Sequence, residues 1–147
     1  MPETKDNSLF YTCSLIEFIG REQKIERREV VDQLGQETIE HIFDFADVLH
    51  CEPIKKVAIE YIEKCNIVPG QYDNVSDCKY TVSSYWDIGK VYSRLISDLF
   101  GEQEYVKGLW QVYHSWISDL LSDYNTDFYY QSRGYIAECY RQNKVLS

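Results

Sequence analysis

Apolar residues recur through the stretch Glu102 to Tyr124 at Val106, Leu109, Trp110, Tyr113, Ile117, Leu120, Leu121 and Tyr124, which are offsets 0, 3, 4, 7, 11, 14, 15 and 18. This is a continuous stripe at the helical period of about 3.6 residues, and it predicts one long helix. Each buried side chain of this kind contributes about 1.5–3 kcal/mol, so the stretch is expected to be the organiser of the hydrophobic core.

The same period runs through most of the chain. Ser8 can cap a helix reaching about Gly20, with Leu9, Phe10, Tyr11, Cys13, Leu15, Ile16, Phe18 and Ile19 almost all round its axis, which predicts a central position. Ile25 to Leu34 reads as a short helix stopped by Gly35. A third, from about Glu37 to Cys51, places Ile39, Ile42, Phe43, Ala46, Leu49 and His50 on one face, and Pro53 forces the next boundary. A fourth repeats Ile54, Val57, Ala58, Tyr61, Ile62 and Cys65 up to Pro69-Gly70.

Residues 66–83 lack any period and read as a connector, with Lys79-Tyr80-Thr81-Val82 as a short extended piece. Ser84, with Asp87 on its first turn, opens a fifth helix that stops at Gly101 and carries Ile88, Val91, Tyr92, Leu95, Ile96 and Leu99 on its buried face. Gly89, Ser93 and Ser97 form a small-residue row along it that lets another helix approach closely. Gly101 makes this helix and the stretch that follows an expected antiparallel hairpin, and Ser132 caps a last helix bearing Tyr135, Ile136, Cys139 and Tyr140. The expected fold is all-α: a single-domain bundle of six or seven helices, with a helical half over about 8–65, the connector 66–83 and a second helical half over 84–142.

Composition narrows the partners. A net charge of −9 opposes a phosphate backbone, and no lysine or arginine stripe offsets it, so nucleic acid is not expected and a basic protein partner is. Arg21, Lys24, Arg27 and Arg28 alternate with Glu22, Glu26 and Glu29, the pattern of a solvated helix flank. The N-terminal residues show no charged-then-apolar signal arrangement and no run of about 18 apolar residues occurs, which predicts a cytoplasmic chain without a membrane span. Cys13, Cys51, Cys65, Cys78 and Cys139 never form a Cys-x-x-Cys pair and read as reduced thiols. Of 13 tyrosines, 11 lie after position 70, together with all three tryptophans, so aromatic surface is concentrated in the second half.

The segments Tyr11 to Ile19, Glu29-Val30-Val31 and Ala46-Asp47-Val48-Leu49-His50 resemble a group of short, uncharacterised bacterial proteins of helical type. The second half is similar to hypothetical proteins of gut and soil anaerobes. The resemblance implies a bacterial, helical, cytosolic protein and brings no catalytic residue with it.

Asp44-x-x-Asp47 followed by Glu60-x-x-Glu63 has the look of the carboxylate pairs with which all-helical nucleotide pyrophosphohydrolases hold magnesium, since Mg²⁺ needs several oxygen ligands beside the phosphates. The helical wheel, however, turns Asp44, Glu60 and Glu63 toward solvent. Glu17 is the one charge between Leu9 and Gly20, and if buried it needs a cationic or hydrogen-bonding partner. His50 sits at a helix C-terminus beside Cys51, where adjacent positions diverge by about 100° and make a poor nucleophilic dyad. Tyr124, Tyr129 and Tyr130 offer a protein-binding surface of large area and low entropy cost. The expected function is a non-enzymatic protein–protein interaction module, of the kind an antitoxin or immunity-like binder represents, with self-association alongside it and no cofactor. Glu17, His50, Tyr124, Tyr129 and Tyr130 are its candidate binding residues. The competing class is a metal-dependent nucleotide hydrolase using Asp44, Asp47, Glu60 and Glu63.

Overall fold

Thr4 opens the first helix, its Oγ1 accepting from the Asn7 N–H at 3.1 Å, so capping falls one turn earlier than Ser8. The computed structural model describes residues 4–147; their α-helices are α1 (Lys5–Gln23), α2 (Arg27–Leu34), α3 (Gln36–Asp44), α4 (Ala46–Leu49), α5 (Ile54–Lys64), α6 (Tyr85–Leu99), α7 (Tyr105–Tyr113), α8 (Trp116–Leu121) and α9 (Arg133–Gln142). No strand occurs among them, and Lys79–Val82 is irregular rather than part of a sheet. The helix count is nine among the described residues, against six or seven expected, because two expected helices are each broken into two.

One break divides the expected Glu37–Cys51 helix at Phe45, whose φ of −107° and ψ of 15° leave the α region. The other divides the stretch Glu102–Tyr124, which is a 3-10 turn (Glu102–Glu104), then α7, then α8. Between the last two, the Ser115 hydroxyl donates to the Val112 carbonyl at 2.7 Å and His114 Nδ1 lies 2.7 Å from the Trp110 carbonyl. Both side chains compete for carbonyls that a continuous helix would use, and Ser115 turns extended to start α8. The apolar stripe survives the break, with Leu109, Tyr113, Ile117, Leu121 and Tyr124 all buried.

α1 is the organiser instead. Ten of its residues are buried, from Leu9 to Gly20, as an all-round apolar helix requires. It packs on α2, α3, α4 and α5 and most extensively on α6. A Cβ at Gly89 would stand 2.7 Å from Ser14 Cα, so the small-residue row on α6 does admit a close neighbour, and that neighbour is α1. α6 also packs on α7 and α9, and the Tyr92 and Tyr113 rings stack at 4.2 Å in the core between them.

Other signals fall where the spacing puts them. Gly35 holds a φ of +83° between α2 and α3, and Pro53 immediately precedes α5. Ser84 and Ser132 cap α6 and α9 through their hydroxyls. The connector is tied down by main-chain bonds, Gly70 N–H to Gln23 O and Tyr72 N–H to Lys24 O, each 2.8 Å. No described helix is long and apolar enough to cross a membrane. Cys13 and Cys139 are buried thiols, whereas Cys51 is exposed and cannot serve as a core hydrophobe.

Candidate functional site

Gly20 does not end α1, because its missing Cβ serves packing rather than a stop. A Cβ there would lie 2.4 Å from Arg27 Cδ, in the space the arginine occupies beside the helix. Arg27 is 1% exposed and Glu17 fully buried, which overturns the solvated-flank reading for Arg27, whereas Glu22, Lys24 and Glu29 are exposed as that reading expects. Arg27 Nε and Nη2 donate to the two Glu17 oxygens, each at 3.0 Å, and Nη1 and Nη2 donate further to Ile25 O and Asn74 Oδ1. Arg21 Nε donates to Glu17 Oε2 at 2.8 Å, and the Tyr124 hydroxyl donates to the same oxygen.

Burial would by itself push the Glu17 carboxyl up, but Arg27, Arg21 and the Tyr124 hydroxyl together outweigh it and hold it at about 2. The same burial and the neighbouring carboxylate push the Tyr124 phenol up. A carboxylate with both oxygens occupied and no tendency to take a proton at neutral pH is a structural tie, not a general base. It joins α1, the start of α2, the connector and the turn after α8. Arg28 ties the same region at the surface by pairing with Asp119.

From Tyr124 the aromatics run outward. Its ring meets Tyr129 at 5.7 Å and Tyr129 meets Tyr130 at 4.5 Å, while exposure rises from 2% and 6% to 70%. These rings line an open trough of about 1080 Å³ with Lys79, Tyr80, Thr81, Asn125, Thr126 and Asp127. Tyr80, which the sequence reading passed over, is 68% exposed there. Next to it, sharing Tyr124 and Asn125, a second depression is bordered by Glu26, Asp77, Asp119 and Asp123. Of the three candidate tyrosines, only Tyr130 therefore presents most of its ring to solvent.

His50 lies elsewhere. It caps the C-terminus of α4, its Nδ1 is 3.1 Å from Ala46 O, and with Asp47 it borders a partly enclosed cavity of about 200 Å³ that Asn7, Ser8, Phe10, Tyr11, Ala46 and Trp86 complete. Glu17 takes no part in this cavity, so Glu17, Asp47 and His50 do not converge. Asp44, Asp47, Glu60 and Glu63 are all exposed, and among the described residues no three His, Cys, Asp or Glu side chains gather as metal ligands do. The geometry gives the hydrolase reading no support.

The network partners Arg27 and Asn74 and the cavity wall Trp86 carried no separate signal in the sequence. The one usable clue to Arg27 is a glycine placed three residues after Glu17, the one charge in the apolar stretch from Leu9 to Ile19. Compared with protein-family models, with characterised proteins and with solved structures, the chain gives no match.

Proposed function

We propose that this chain is a protein–protein interaction module whose docking face is the tyrosine-lined trough and the acidic depression beside it, and whose partner presents a basic segment. The observation that carries the reading is the exposure of Tyr80 and Tyr130, 68% and 70%, at a depression bordered by Asp127 and continuous with Glu26, Asp77 and Asp123. Exposed tyrosines supply the contact area of a binding face, and the carboxylates around them supply steering for a cationic partner. The net charge of −9 works in the same direction over longer distances. Two copies of this chain would bring like charge together at this face, which favours a different, basic chain over self-association there. Occlusion of a basic partner is the role of an antitoxin or immunity-like inhibitor.

The test is affinity capture from the native host with the wild-type chain and with a Tyr80→Ala, Tyr130→Ala double variant. A partner of basic composition held by the wild type, released as salt is raised and lost from the variant, is the expected result. Identical captured proteins from both chains would sink the assignment of this face.

A further inference from the structure

We propose that the cavity between α1, α4 and α6 binds a small aromatic amine, with one ring seated against Phe10, Tyr11 and Trp86 and an ammonium group on a short arm directed to Asp47. This site lies away from the tyrosine trough and does not depend on the reading given for it. Its size suits one ring and a short chain: an engineered apolar cavity of about 150 Å³ takes up benzene, and this one measures about 200 Å³.

Its walls are aromatic. Phe10 and Trp86 stand with ring centroids 5.4 Å apart and tilted by 49°, and Trp86 remains 37% exposed at the mouth. Phe10 already takes the Lys90 ammonium at 5.8 Å, on the side of a neighbouring depression, so its ring is in use as a cation acceptor in this fold.

Polar groups complete the recognition. Among the described residues Asp47 is the one acidic side chain on the rim, the His50 imidazole stands beside it, and neither Lys nor Arg lines the cavity. A cation is therefore attracted where an anion is repelled, and the net charge of −9 adds to both effects.

The experiment is an NMR titration of the full chain with phenethylamine, and with 2-phenylethanol and 3-phenylpropionate as neutral and anionic counterparts of nearly the same shape. Expected are saturable shifts of the Trp86 indole and of Asp47 and His50 amides, with the amine about five- to tenfold tighter than the alcohol, and the carboxylate weakest. Asp47→Asn, an exposed change that leaves the core untouched, is expected to erase the amine's advantage and leave alcohol binding as it was. Trp86→Ala is expected to weaken all three. No saturation by phenethylamine below about 10 mM overturns the site. A carboxylate that binds as well as the amine, or an amine preference that survives Asp47→Asn, overturns the charge recognition.

Discussion

Glu17 and Arg27 are ten residues apart and both are removed from water, each satisfied by the other and by Arg21, Asn74, Ile25 O and Tyr124. Such a pair adds modestly to stability when intact and costs much when halved, because the remaining charge is stranded. Glu17→Gln is therefore expected to lose about 3–5 kcal/mol in urea unfolding, whereas Glu17→Met combined with Arg27→Met recovers most of that loss. The pH dependence has a fixed sign. The Glu17 carboxyl is held at about 2 in the fold against an ordinary 4.5, so its contribution is complete above about pH 4.5 and is lost as pH falls toward 2. Over that window it amounts to about 3 kcal/mol, and unfolding free energies measured from pH 6 to pH 2 are expected to fall less steeply in Glu17→Gln than in the wild type. The need for a partner was legible from one glutamate on an apolar helix. Its identity was not, because the spacing of charges in Arg21 to Arg28 is the same whether that segment faces solvent or the core.

Period and caps place the helices, and Ser84, Ser132, Gly35 and Pro53 stand where those signals put them. The break at His114-Ser115 is not legible, since it arises from side chains bonding backbone carbonyls without interrupting the apolar stripe, and the break at Phe45 is a change in backbone angle alone that leaves no mark on the period. Nor does a stripe reveal its partner. The second half's long stripe looked dominant, but α1 is apolar on all sides and so must be surrounded, which a stripe on one face does not demand. The α1–α6 contact is where this can be tested. Gly89→Ala places a methyl against Ser14 backbone at 2.7–2.8 Å and is expected to cost about 1–3 kcal/mol by thermal unfolding. Gly134→Ala, in α9 with open space at its Cβ, is expected to gain about 0.5 kcal/mol.

Across the whole molecule, α1 from the first half and α6 from the second close on each other, and a continuous set of buried residues draws on both halves. The halves are thus expected to unfold together: far-UV circular dichroism and the fluorescence of Trp86, Trp110 and Trp116, all in the second half, should trace one coincident urea transition. Two separated midpoints would refute that coupling. The Gly20 notch extends the coupling to acid tolerance. Gly20→Ala adds a single methyl, yet the arginine it collides with is pinned by Glu17, Ile25 O and Asn74 and has no free direction in which to yield. Displacing that guanidinium removes the stronger of the two charges that keep Glu17 ionised, leaving Arg21 alone beside it. A change made only in volume thus reappears as a change in titration, and the variant is expected to unfold at a higher pH than the wild type during acidification.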